Sequence, residues 1–212
     1  MKRFFDILCS LAGILILSPV LLSIAVKIMA EDGRPVFYRG ERVGLDGRIF
    51  RIFKFRTMVL DADKVGGPST SGDDPRITET GNLLRKFKLD ELPQLINVLI
   101  GDMSIVGPRP EVKRYTDLYT AEEKAILSVR PGITDWASIW NSDEGAILAG
   151  AKDPDKAYEE LIRPTKLKMQ LRYVRQQSFL TDLKIIFLTA LAILRPESEA
   201  IRQIRRQSSS RS

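Results

Sequence analysis

"LRKFKLDELPQLINVLIGDMSIVGPRP", residues 84–110, sets two adjacent carboxylates, Asp90 and Glu91, between a basic run and an apolar one. Leu92, Leu95, Ile96 and Leu99 recur at i, i+3, i+4 and i+7, the pattern of an amphipathic helix with its apolar face buried. Pro93 suits the first turn of that helix, where its missing N–H costs little. The two acids then fall at the helix N-terminus, where the backbone dipole favours negative charge. Capping alone would account for one of them. Upstream, residues 81–88 start a helix, with Leu83, Leu84 and Phe87 at helical spacing and Arg85, Lys86 and Lys88 among them. Downstream, Pro108 and Pro110 fix φ on either side of Arg109, and Pro110 keeps Arg109 out of the helical region. A guanidinium on stiff backbone suits two-point recognition of phosphate or carboxylate.

Before this stretch, residues 36–58 read as a β-hairpin. Asp46-Gly47 is a dipeptide favoured in type I′ turns, and its flanks are rich in Val, Ile and Phe. Period-two geometry on the return strand puts Phe53 and Phe55 on one face and Lys54 and Arg56 on the other. That cationic pair suits either a phosphate or plain solvent. Residues 61–80 contain "GGPSTSGDDP" and read as a long loop. Its Asp61, Asp63, Asp73 and Asp74 lack a metal-loop spacing and read as solvated charge. After Arg109 come the Pro-Gly turn of "VRPGIT" (129–134) and two tryptophans, Trp136 and Trp140. These suit packing as well as stacking on a ring.

Composition narrows the chemistry. The 212 residues contain no histidine and one cysteine, Cys9, which excludes Ser-His and Cys-His nucleophile pairs, internal disulfides and cysteine zinc clusters. The net charge of +6 is concentrated at the ends, with +5 over residues 1–60, −2 over 61–194 and +3 over 195–212. Basic ends suit membrane phospholipids or phosphate; no zinc-finger or zipper pattern points to nucleic acid.

Residues 7–26 are uncharged and about long enough to span a bilayer core. A cleaved signal peptide fits poorly, because "AVKIMAED" offers a weak cleavage site. A spanning helix and a re-entrant one both remain. Basic residues flank the segment on both sides, and Ser18-Pro19 at its middle favours a kink or break that would return the chain to the side it left. Residues 178–194 form a second apolar segment, short for a span, which suits an interfacial or a core helix. The tail 195–212 is basic and polar.

The N-terminal segment with Ser18-Pro19, "FKFRTM", "LDELPQLINVLIGDMSIVGPRP", "VRPGIT" and "SFLTDLKIIFLT" together resemble the bacterial sugar transferases, the monotopic phosphoglycosyl transferases. The resemblance implies an α+β fold. A small globular domain with a short β-hairpin and several helices (31–194) would be anchored by a re-entrant membrane helix (1–30) broken at Ser18 and Pro19 and by interfacial amphipathic helices, among them 178–194. A basic tail (195–212) would follow.

It further implies transfer of a sugar-1-phosphate from a UDP-sugar to polyprenyl (undecaprenyl) phosphate, with release of UMP, at the cytosolic face of the bacterial inner membrane. By position Asp90 would be the nucleophile and Glu91 a ligand of Mg²⁺. Arg109, Lys54, Arg56 and Arg85 would meet the phosphates. A carboxylate nucleophile is ionised at neutral pH and needs no base, which suits a chain without histidine.

One departure stands out. Many members continue "RPGIT" with Gly and a short run ending in Asn-Gly, whereas this chain reads "RPGITDWASIWNSDEG". The identity of the sugar and any homo-oligomer stay open. The competing reading is a non-catalytic membrane module that binds anionic lipids through its basic ends.

Overall fold

The computed structural model describes residues 1–65, 70–141 and 144–194; the tail 195–212 and the middle of the 61–80 loop lie outside the described residues. In chain order the elements are α1 (Lys2–Asp32), β1 (Phe37–Tyr38), β2 (Glu41–Val43), β3 (Ile49–Arg51), β4 (Lys54–Phe55), α2 (Ala62–Val65) and α3 (Glu79–Lys86). There follow α4 (Gln94–Ile100), β5 (Ser104–Val106), α5 (Lys113–Thr116), β6 (Gly132–Thr134), α6 (Trp136–Trp140) and α7 (Glu144–Leu148). The last three are α8 (Pro154–Ala157), α9 (Arg163–Arg175) and α10 (Phe179–Leu194). Helix dominates and the sheets are small.

The hairpin forms as its turn residues dictate. β2 and β3 pair antiparallel with Val43 opposite Ile49, and β1 pairs antiparallel with β4. Asp46 and Gly47 both take positive φ, 55° and 77°, the geometry that Asp-Gly supplies at little cost. A third ladder was not legible in the sequence: β5 and β6 pair in parallel, Ser104 with Gly132 and Val106 with Thr134. It lays the GPRP and RPGIT segments backbone to backbone. Gly107 donates to the Thr134 carbonyl and Gly132 to that of Pro108, each at 3.0 Å. A Cβ on Gly132 would collide with the Gly107 backbone, so both glycines are needed for the close approach.

α1 does not stop at Ser18-Pro19; it is helical through 31 residues with Pro19 inside. Pro19 has no N–H for the carbonyl of Leu15, four residues earlier. The Ser18 hydroxyl donates to that carbonyl instead, at 2.8 Å. So the pair marks a repaired proline site rather than an end of the helix.

Both ends of α1 are fastened to the same domain. At the start, Arg3 donates to the carbonyls of Val98 and Leu99, the orphan acceptors at the end of α4, at 2.6 and 3.0 Å. Lys2 pairs with Asp182 of α10 at 2.5 Å, and Asp6 accepts from Ser104 and from the Ile105 amide. At the far end, Ile24 and Ile28 pack with Phe55 and Leu84, while Glu31 accepts from the Thr80 amide at the start of α3. The remaining apolar side chains of α1, among them Leu15 and Ile16, are exposed.

α4 inverts the expected burial. Leu92, Leu95, Ile96 and Leu99 are only half-buried, and Leu95 lies under Gly13 of α1. The buried residues are Gln94, Asn97 and Val98. Asn97 accepts from the Phe53 amide at 2.7 Å and donates to the Arg51 carbonyl at 3.0 Å, satisfying strand ends that no neighbouring strand reaches. The apolar pattern was read correctly as a face, but that face meets α1 rather than the interior.

α10 buries Ile185, Leu188 and Ala192 against Val106, Ile139 and Tyr173, and leaves Leu180, Phe187 and Leu194 exposed on its other side. Phe5 of α1 meets Phe179 edge-on at 5.3 Å, so the exposed apolar faces of the two helices adjoin.

Candidate active site

Asp90 and Glu91 sit in a tight 3-10 turn, Leu89–Glu91, between α3 and α4 rather than on the first turn of a regular helix. The turn is set by Lys88, held at φ 56°, a left-handed conformation uncommon for a residue other than glycine. This reversal separates α3 from α4 and aims both acids toward β4 and the Arg109 loop.

Glu91 is clamped. Lys54 of β4 donates to its Oε1 at 2.8 Å, and Arg109 engages it with both terminal nitrogens, Nη1 to Oε2 at 2.9 Å and Nη2 to Oε1. Burial alone would raise the Glu91 pKa, yet Arg109 and Lys54 hold it well below the usual carboxylate range. The same pair raises the Arg109 pKa, so that side chain stays charged.

Asp90 is left comparatively free. It is 7% exposed and, among the described residues, accepts no hydrogen bond; its one ion pair is with Lys54 at 3.7 Å. Burial pushes its pKa above the ordinary value, outweighing the pull of Lys54, Arg85 and Arg109, and the adjacent Glu91 charge adds to the rise. A carboxylate of raised basicity that no donor blocks is chemically able to act as a nucleophile or a base.

Of the four cations, Lys54 and Arg109 join Glu91, and Arg85 acts on Asp90 through its charge while its Nε donates to the Thr57 hydroxyl at 3.0 Å. Arg56 is placed elsewhere. It pairs with the Asp32 carboxylate at 2.9 Å and donates to the carbonyls of Asp32 and Gly33, closing the C-terminal end of α1. Arg56 lies just past β4, so strand alternation does not govern its direction. Trp136 packs against the core that contains Tyr173, and Trp140 against the cluster of Tyr115 and Tyr158. In the loop Asp74 pairs with Arg76 and Asp61 with Lys64, and no group of three metal-ligating side chains occurs among the described residues. Two carboxylates still fit Mg²⁺, which commonly takes one or two from the protein and the rest of its shell from phosphate and water.

Residues that sequence reasoning passed over support the site from behind. Asp135, fully buried, caps α6 through the Ser138 amide and accepts the Arg109 amide at 3.2 Å. Gln170 of α9 bridges the Arg109 carbonyl and Asp135, at 3.3 Å to each. The Asp-x-x-Ser spacing of a helix cap could have flagged Asp135; nothing local flags Gln170.

The bacterial sugar transferase profile matches residues 1–196. An uncharacterized sugar transferase, EpsL of Bacillus subtilis, is 38% identical over 96% of this chain and 91% of its own length. The UDP-glucose:undecaprenyl-phosphate glucose-1-phosphate transferase of Escherichia coli is 40% identical over 89% of this chain, and the undecaprenyl-phosphate galactose phosphotransferase of Salmonella typhimurium 36% over 92%. In those two the match covers only 39% and 40% of the relative's length. On the extent of these matches the chain belongs to the bacterial sugar transferase family.

Proposed function

We propose that the protein transfers a sugar-1-phosphate from a UDP-sugar to undecaprenyl phosphate by way of Asp90. An Asp90 oxygen attacks the sugar-bearing phosphorus, the bond from that phosphorus to the UMP oxygen breaks, and UMP leaves with the electron pair. The phosphosugar then rests on the carboxylate as an acyl phosphate. An oxygen of the lipid phosphate attacks the same phosphorus, the lipid diphosphate-sugar forms, and the Asp90 carboxylate is restored. The observation that carries this reading is the asymmetry of the pair, with Glu91 clamped by two cations and Asp90 desolvated and unblocked.

Lys54, Arg109 and Arg85 offset the repulsion between a carboxylate and a diphosphate. Glu91 would hold Mg²⁺, which when bound supplies charge neutralisation at the phosphates. Glu91 is suited to this because its cation partners keep it ionised. Lys54 and Arg109, both beside Glu91, would share their charge between that carboxylate and the phosphate oxygens.

α1 is long and apolar enough to cross a membrane, yet both its ends hold one domain. A straight crossing would set those ends on opposite sides of the hydrocarbon core, where one domain could not hold both. Re-entry at the cytosolic face keeps them together, with α10 lying in the interface. The relatives' names and the basic ends of the chain are consistent with that placement.

UMP release from UDP-sugars by purified protein with Mg²⁺, with and without undecaprenyl phosphate, tests the reading. Acceptor-dependent UMP that vanishes in Asp90→Ala is expected. A variant as active as the wild type would sink it, and membrane binding without turnover of any donor would favour the lipid-binding alternative.

A further inference from the structure

One carboxylate near the site has no task in phosphoryl transfer. Glu144 opens α7, and its side chain is 38% exposed. From beneath, Lys166 of α9 lies 3.5 Å from its Oε1. Lys166 is buried and already served, by Glu111 at 3.1 Å and by the Tyr158 hydroxyl at 2.9 Å. Tyr158 in turn donates to Glu111 at 2.6 Å. One lysine thus faces two carboxylates. Glu111 is enclosed, so Glu144 is the member that reaches solvent.

Glu144 lies beside the Arg109 loop, because Lys166 joins it to Glu111, two residues after Arg109. Arg109, which holds Glu91, and Lys88, two residues before Asp90, both act on it electrostatically. The wall is braced from the other side, where the Gly72 amide donates to the Gly145 carbonyl at 2.9 Å.

An anion at the edge of a diphosphate site repels the diphosphate, so its partner on the donor must be a neutral hydrogen-bond donor. Hydroxyl pairs fit, and a UDP-sugar carries them on the sugar and on the ribose. The sugar is bonded to the phosphorus that Asp90 must touch, whereas the ribose lies one phosphate farther away. We propose, resting on the reaction assigned above, that Glu144 accepts hydrogen bonds from hydroxyls of the donor's sugar ring and so selects which sugar is transferred. A site that hydrogen-bonds a substrate hydroxyl discriminates between donors, because a wrong epimer leaves an acceptor that the bound donor has shielded from water unpaired.

The test compares wild type, Glu144→Gln and Glu144→Ala with UDP-glucose, UDP-galactose and their N-acetylated counterparts, following UMP release and inhibition by UDP. Glu144→Gln keeps the volume and an acceptor oxygen toward Lys166. For Glu144→Ala the KM of the preferred donor is expected to rise about 10- to 100-fold, with kcat changed less than about threefold. The preference between glucose and galactose epimers should narrow in both variants, with UDP inhibition unchanged. Weakening of UDP by the same factor would assign Glu144 to the ribose and overturn the proposal. So would an unaltered donor preference in Glu144→Gln. Calorimetric binding of the same donors to Asp90→Asn, alone and with Glu144→Gln, gives the comparison without turnover. Donors that bind there with their preference lost to Glu144→Gln support the sugar contact even if turnover fails, whereas wild type that neither binds nor turns over any donor refutes the reaction itself.

Discussion

Arg109 and Glu91 meet at two points, Nη1 on Oε2 at 2.9 Å and Nη2 on Oε1, the oxygen that Lys54 also reaches. A planar guanidinium makes this contact and an ammonium cannot. Arg109→Lys should therefore keep the charge and still lose about 100-fold in turnover. Glu91→Gln should lower stability by about 1–3 kcal/mol, less than for a fully enclosed pair because Arg109 keeps some contact with solvent. Steady-state UMP release and thermal melting check the two numbers; an Arg109→Lys enzyme with wild-type rates would show that the two-point contact is dispensable.

Asp90 carries a pH signature distinct from that of Glu91. Its pKa is raised by burial, so the acid limb of kcat/KM should lie above the ordinary aspartate value of about 3.9. Lys54 pulls that value down, so Lys54→Met should move the limb to higher pH. For stability the directions oppose. A carboxylate whose folded pKa exceeds its unfolded one favours folding more as pH falls through the folded value, so ionised Asp90 is a burden at neutral pH. Glu91, held low, contributes stability above its unfolded pKa and loses it as pH falls through its folded one. Asp90→Asn should accordingly be inactive and melt at or above the wild-type temperature at pH 7. A clear drop in melting temperature there would contradict the burial argument.

The contact of Gly107 with Gly132 ties Arg109 to β6. Gly132→Ala puts a methyl into the Gly107 backbone and should cost about 1–3 kcal/mol. Because the displaced segment carries Arg109, the donor KM should rise together with the loss of stability. Unchanged melting and KM would mean that β5 and β6 can separate without consequence.

The course of α1 is open to labelling with a membrane-impermeant maleimide in a Cys9→Ser background. Cysteines placed in a tag ahead of Lys2 and at Arg34→Cys should both be protected in intact spheroplasts and both react after lysis. Reaction of one alone in intact cells would mean a straight crossing.

Much of this architecture was legible because it is local. Asp46-Gly47 announced the hairpin, and the apolar sequel of Asp90-Glu91 announced α4, although the two acids lie in a 3-10 turn before it rather than on its first turn. What escaped was non-local. The parallel pairing of β5 with β6 joins segments 28 residues apart through their backbones, which side-chain patterns do not record. Arg56 lies beyond the two residues of β4 and meets Asp32 at the end of α1, a partner that no period reveals. The half-buried leucines of α4 carry the pattern of a core face because a helix facing another apolar helix needs the same residues as one facing an interior. Gln170 serves Arg109 from α9 across 61 residues, and only tertiary packing brings it there.

The pairing of Lys2 with Asp182 and of Asp6 with Ser104 also sets a timetable for synthesis. Ser104 leaves the ribosome 98 residues after Asp6, and Asp182 a full 180 residues after Lys2. At bacterial elongation rates the second interval is roughly 10–35 s. Once Asp32 is made the apolar helix is complete, yet its charged start finds no partner until α4 and β5 emerge, and Lys2 none until α10 does. Whatever receives the nascent segment must hold it unaided until then, and the start of the helix is fully fastened only when α10 has emerged.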